Sequence, residues 1–268
     1  MIHCLLIVGP DRFSSAMRML KSIDDVQVKV YVLWRGYDSI PILANVDKPY
    51  FETVLPACSV SAGRNRLLVE VLRDEFVPET DIVCLADDDG YWSEDLTSQI
   101  ISTFEERIPW ALGIYGPETG IDRERFSDIP NDSLSLKQLI RRGSSLGIYS
   151  TVGLIRKVGF FDESLGLGTS IPIGEDTDFI IRLARGASSS HYRPNLLQWH
   201  PYANVFKKSR MIDSLNLFLH FRSKGYSVGT IYLQRVFGLL LRNVLSPQDA
   251  LKYLAKWVVR DSNPRPGA

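Results

Sequence analysis

The chain has 268 residues, 45% of them hydrophobic, and a net charge of zero. That is enough apolar material for one large α/β domain, or for one domain with a helical extension. With no overall basic field, no nucleic-acid partner is expected, and no apolar run reaches the roughly 18 residues of a membrane span.

Ile2–Val8 is a short apolar run closed by Gly9-Pro10, the pattern of a buried strand. Phe13, Ala16, Met17, Leu20 and Ile23 then recur at helical spacing, and Val26, Val28, Val30 and Val32 alternate with polar neighbours as a strand that ends at Trp34-Arg35-Gly36. A loop containing Pro41, Pro49 and Pro56 leads to Ser61-Ala62-Gly63-Arg64-Asn65-Arg66, which opens a helix with Leu67, Leu68, Val71 and Leu72 on one face. Ile82–Ala86 is a second fully apolar strand, after which Ser93 is placed to cap a helix with Glu94 and Asp95 in its first turn. Trp110–Tyr115 reads as a strand, residues 117–147 as a long polar loop, and Phe179, Ile180, Leu183 and Ala184 as a helix. Leu196-Leu197-Gln198-Trp199-His200 ends a further strand. Strands alternating with helices predict an α/β fold, a mostly parallel twisted sheet with helices on both faces.

The charge is unevenly spread. Residues 201–268 hold eleven Lys/Arg against three Asp/Glu, a balance of +8, so the remainder carries −8. Val236, Phe237, Leu240, Leu241 and Val244 share a helical pattern with Arg235 and Arg242. After Ser246-Pro247, a cap and first helical position, Leu251, Leu254, Trp257 and Val258 are flanked by Lys252, Lys256 and Arg260. Such basic amphipathic helices either lie on an anionic bilayer or pack on an acidic domain. The division expected is a catalytic domain over 1–205, a basic helical C-terminal extension over 206–260 and a flexible tail over 261–268. Cys4, Cys58 and Cys84 are odd in number and widely spaced, as reduced core thiols are. Met1-Ile2-His3-Cys4-Leu5 lacks a basic secretory leader, so the expected location is the cytoplasm, with peripheral contact at the inner face of the membrane.

The chemistry centres on Asp87-Asp88-Asp89-Gly90, three carboxylates directly after a buried strand. Ligands gather at the carboxyl ends of strands in such sheets. Adjacent carboxylates repel, and a hard cation relieves that repulsion; in extended backbone Asp87 and Asp89 point to one side. The arrangement suits Mg2+ or Mn2+ holding a phosphate, against the plainer reading of a solvated acidic turn.

Four segments in order, VSAGRNRLL, VCLADDDGYW, the stretch Val158–Gly168 and GEDTDFIIRLARG at Gly174–Gly186, resemble the family-2 glycosyltransferases of the GT-A fold over residues 1–200. The resemblance implies a metal-dependent, inverting transfer of a sugar from a nucleotide-diphosphate donor to an acceptor hydroxyl, on a glycan or a lipid-linked acceptor, in cell-surface polysaccharide or glycoconjugate assembly. It implies metal ligation by Asp87 and Asp89, with His200 as a third ligand, and contact of Asp88 with the ribose or the metal's waters. Arg64 and Asn65 match an Arg-Asn pair near the nucleotide. Asp176 matches the general base, with Glu175 orienting acceptor or loop; both acids also suit the start of a helix. Phe160-Phe161-Asp162-Glu163 matches a supporting turn, and Trp92 and Trp199 are assigned to packing ahead of sugar stacking. Many family members carry an acid after the second strand that touches the base, whereas Val32-Leu33-Trp34-Arg35-Gly36 offers none, which leaves uridine, guanosine and thymidine donors open. Two other readings compete. One is a sugar nucleotidyltransferase, whose Gly-rich basic loop is poorly matched by Gly9-Pro10-Asp11-Arg12. The other is a non-catalytic sugar- or partner-binding domain.

Overall fold

The computed structural model describes residues 1–23, 25–42, 50–118, 130–132, 134–201 and 209–226, with Gln234 and Gln248. The chain divides into two compact units, Met1–Ser170 with Gly174–Ala203, and Ile171–Ile173 with Asn204–Ala268. Every candidate site residue belongs to the first. The basic stretches around Arg235–Val244 and Leu251–Arg260, and the tail over 261–268, lie outside the described residues. In the second unit the described helix α7 spans Ser209–Ser223 and buries Leu217 and Phe221. Among the described residues no helix is long and apolar enough to cross a membrane.

The first unit is built on strands β1 (Ile2–Val8), β2 (Val28–Arg35), β3 (Phe51–Leu55), β4 (Ile82–Asp87), β5 (Tyr91–Trp92), β6 (Trp110–Gly116), β7 (Ile148–Thr151) and β8 (His191–Trp199). They form one sheet in the order β3-β2-β1-β4-β7-β6-β8-β5. Pairs β1–β2, β1–β4, β2–β3 and β6–β8 are parallel; β7 runs antiparallel between β4 and β6, and β5 antiparallel to β8. Helices α1 (Phe13–Ser22), α2 (Val60–Leu72), α3 (Leu96–Glu105), α4 (Leu136–Arg142), α5 (Val152–Val158) and α6 (Glu175–Gly186) complete it.

Strand alternation splits the core in two. Leu5 of β1, Leu33 of β2 and Leu85 of β4 join Leu67 and Leu68 of α2 and Phe179 and Ile180 of α6. Cys4, Leu6 and Val8, with Trp34 and Cys84, join Met19 and Leu20 of α1 and Leu96 and Ile100 of α3. The sheet is thus covered on both faces, which is why β1 and β4 read as unbroken apolar runs.

Several local expectations are corrected. The predicted helix start at Ser93 moves to Leu96, because the Ser93 hydroxyl donates to Leu197 O at 3.2 Å and is not spent on capping. Val26 is 94% exposed and precedes β2. The expected loop over 117–147 contains α4, opened by a capping box in which Ser135 Oγ accepts from the Gln138 N–H and Gln138 reaches back to the Ser135 backbone. The capping residue of α2 is Ser59, whose hydroxyl accepts from Ala62 N–H at 3.1 Å.

Candidate metal and donor site

The order β3-β2-β1-β4 reverses direction between β1 and β4, and the crevice at the carboxyl ends of those strands is the expected ligand position. Asp87 closes β4 there, in register with Ile7 of β1. Gly90 lets the acidic turn meet the end of β8: a β-carbon at that position would stand 2.9 Å from Trp199 O. His200 is fixed by its N–H, which donates to Gly116 O at 2.7 Å.

This closure brings His200 Nε2 to 2.8 Å from Asp89 Oδ1 and 3.8 Å from Asp87 Oδ2. One ligand atom from each of Asp87, Asp89 and His200 lies within 4.8 Å of the other two. Two carboxylates and an imidazole form a mixed oxygen–nitrogen set suited to Mn2+ and, through the carboxylates, Mg2+. His200 Nδ1 is buried with no hydrogen-bond partner, and the ring is half-buried among acids. Burial works to lower its pKa, but the hydrogen bond to Asp89 and the charges of Asp87 and Asp89 together raise it. The three acids differ. Burial raises Asp87, against the pull of Arg64 and His200, and burial likewise raises Asp88, whereas the His200 hydrogen bond lowers Asp89. Without a cation, Asp87 and Asp88 carry the electrostatic cost and Asp89 is satisfied.

Asp88 ties two strand ends together, its Oδ2 accepting from Gly9 N–H at 2.7 Å. Two residues of the α1 region that the sequence did not single out also reach this turn. Arg12 donates to Asp89 Oδ2 at 3.4 Å, and Arg18 donates to Asp89 O at 3.3 Å while lying 4.7 Å over the Tyr91 ring. Their sequence separations of 77 and 71 residues left no local signal.

Glu175 and Asp176 occupy the first turn of α6, behind Gly174, whose φ of +97° is a left-handed conformation that glycine adopts without strain. Asp176 Oδ2 accepts from Ser145 N–H at 3.2 Å. Glu175 packs beside Gly166, where a β-carbon would stand 2.8 Å from Ser61 Oγ and 3.1 Å from Glu175 Cδ. Burial, reinforced by Asp176, pushes the Glu175 carboxyl up to about 7.

Arg64 joins the two acidic groups. Its side chain is 7% exposed, with Nη2 3.9 Å from Asp87 Oδ1 and Nη1 3.6 Å from Glu175 Oε1. Both separations exceed hydrogen-bond length, and Nη1 is buried without a hydrogen-bond partner. Asn65 is engaged differently. Its amide nitrogen donates to Phe161 O at 2.9 Å and Glu163 Oε1 at 2.8 Å, and its oxygen accepts from Phe161 N–H at 2.7 Å. Those bonds commit its donors to the Phe161–Glu163 turn, in which Phe161 stacks on Phe179 with centroids 4.1 Å apart. Trp92 is a core residue, 3% exposed; Trp199 is half-buried beside Tyr91, with centroids 6.5 Å apart.

No protein-family model and no curated protein matches the sequence. Solved structures do match in fold. Staphylococcus aureus TarS 1–349 in complex with UDP gives a TM-score of 0.61 at 14% identity, over 94% of this chain and 78% of that one. The complex of the same protein with UDP-GlcNAc gives 0.59 at 14% identity, over 81% and 67%. The longer TarS structure gives 0.59 at 14% identity over 81% of this chain. The chain spans 65% of another TarS 1–349 structure and 39% of the longer TarS chain. At this identity the likeness establishes the fold alone, and that fold is the GT-A type.

Proposed function

We propose that the chain is a metal-dependent, inverting glycosyltransferase that uses a nucleotide-diphosphate sugar. The observation that carries this reading is the position of Arg64, within 4.0 Å of both Asp87 and Glu175. One guanidinium makes the acids of β4 and the acids of α6 parts of a single site. The solved TarS complexes with UDP and UDP-GlcNAc support the donor class.

Asp87, Asp89 and His200 would hold Mn2+ or Mg2+, which would offset the negative charge of the departing diphosphate. Asp88 braces Gly9 beneath the nucleotide. Asp176 accepts the proton of the acceptor hydroxyl as its oxygen attacks the anomeric carbon from the face opposite the diphosphate. The new C–O bond forms as the bond to the diphosphate oxygen breaks, so the anomeric configuration inverts. Arg64, with a buried N–H unspent, supplies positive charge between the reacting centre and the diphosphate. Glu175, 3.6 Å from Arg64, orients the acceptor or the loop beside Asp176. Asn65 positions the turn that supports Arg64 through Phe161, whose ring lies 5.4 Å from the guanidinium carbon.

The acceptor is a glycan or a lipid-linked carrier in surface-polysaccharide or glycoconjugate assembly, met at the cytoplasmic face of a membrane. The test is a thermal-shift panel of nucleoside diphosphates with and without Mn2+, followed by donor hydrolysis and transfer assays. A ligand that binds the folded state raises its melting temperature, so a metal-dependent rise with at least one nucleotide is expected. No rise with any nucleotide would refute the reading.

A further inference from the structure

The sheet order fixes which way a donor must lie. Asp176 is bonded to Ser145, in the 3-10 turn Ser145–Gly147 that leads into β7, the neighbour of β4 on one side. On the other side of β4 lie β1, which ends at Val8 just before Gly9, and then β2, which ends at Arg35, with Val8 opposite Trp34. Resting on the glycosyltransferase reading, a donor with its diphosphate at Asp87–Asp89 and its sugar facing Asp176 runs its nucleoside over Gly9 toward Arg35.

Arg35 is held there and left unspent. Gly36, at φ +74°, turns the chain immediately after it, and the Gly36 N–H donates to Leu55 O at 2.9 Å. The preceding Trp34 is fully buried and donates its indole N–H to Glu52. The Arg35 Nη2 lies 3.6 Å from where a Gly9 β-carbon would stand, so the guanidinium borders the bare Gly9 surface. Half-buried, the Arg35 side chain makes no hydrogen bond and no ion pair among the described residues; its charge acts on Asp88, whose Oδ2 lies 3.4 Å from the same Gly9 β-carbon position. Gly9 itself offers little: its N–H is donated to Asp88, and its carbonyl accepts from Tyr37 OH at 3.1 Å.

We infer that Arg35 reads the base of the donor nucleotide and that this base is guanine. A guanidinium has five donors in a planar fork and no acceptor, so the edge it faces must accept hydrogen bonds. Guanine presents two adjacent acceptors, O6 and N7, which fit the fork. On the corresponding edge adenine places an amino group beside N7, cytosine offers an amino group, and uracil and thymine offer O4 beside a carbon, so none gives the fork two adjacent acceptors. The UDP in the TarS complexes does not set the base here, since 14% identity carries the fold alone.

Titration calorimetry of the full chain in Mn2+ with GDP, UDP and ADP tests the inference. GDP should bind more tightly than UDP by roughly 5- to 150-fold, the range a bidentate contact provides. Arg35→Lys keeps the charge and loses the fork, and Arg35→Ala removes both; each should bring the GDP-to-UDP ratio close to one. A wild-type preference for UDP or ADP, or a ratio unchanged in both variants, overturns the base assignment and leaves the glycosyltransferase reading standing. Absence of metal-dependent binding by all three nucleotides overturns both.

Discussion

The Arg64 Nη1 lies 3.6 Å from Glu175 Oε1, so the acid beside the candidate base is held by the same cation that faces the candidate metal ligand Asp87. That pairing is too long to offset the burial of Glu175, whose carboxyl titrates at about 7. Between its ordinary value of 4.5 and about 7, the unfolded chain releases this proton and the folded chain keeps it. Stability from this group therefore falls as pH rises through that window and is level above it. Glu175→Gln should gain stability over the parent above pH 7, on the order of 1–3 kcal/mol, and gain little at acid pH. Melting curves across the range check this; a gain independent of pH would refute it.

The acids of the turn should respond differently to removal. Asp87→Asn relieves a carboxylate disfavoured by burial, so the metal-free protein should melt at the same temperature or higher. Asp89→Ala removes the partner of His200 and Arg12 and should lower the melting temperature, a cost of about 1 kcal/mol for a partly exposed charged pair. Both should lose the Mn2+-dependent part of nucleotide binding. Undiminished metal-dependent binding in both variants would remove these residues from the metal site.

Asp176→Asn keeps shape and can still accept the Ser145 N–H through its amide oxygen, but it cannot take a proton at neutral pH. Transfer should fall by roughly 10²- to 10⁴-fold with donor affinity retained. Single-turnover assays beside calorimetry separate the two effects. Near-normal transfer would move the base elsewhere, with Glu175 the first candidate.

Asn65→Ala leaves the Phe161 N–H and C=O without their partner inside the protein. The expected cost is about 1–3 kcal/mol of stability, read from the denaturation midpoint at constant slope. Loss of nucleotide affinity without loss of stability would instead make Asn65 a direct ligand contact.

The basic C-terminal stretches make one prediction. Full-length protein should float with anionic liposomes at low salt, and charge reversal at Lys252, Lys256 and Arg260 together should abolish flotation. Failure of the unaltered chain to float would assign those basic stretches to protein packing.

Much of this architecture was legible in the sequence because its signals are local. The apolar runs of β1 and β4, the alternation of β2 and the three acids at a strand end each declare themselves within a few residues. β7 did not, since Ile148–Thr151 is four residues with two polar side chains. α4 was missed although Ser135 and Gln138 stand at capping-box spacing, because the surrounding polar sequence masked a short helix. The partners of Asn65 could not be read from its neighbours, as they lie 96 and 98 residues further along. The same holds for Arg12 and Arg18, whose contact with Asp89 exists only once α1 is laid beside the turn.

The bonds from Asn65 to Phe161 and Glu163 separate two kinds of selection within one short motif. A descendant that abandoned transfer would be free to lose Asp176 or His200, but it would still need Asn65 to keep its fold. Persistence of an asparagine at position 65 is therefore no witness to activity among relatives of this chain. The informative positions are those whose loss costs the fold little, Asp87 and Asp176 above all, since only use would maintain them.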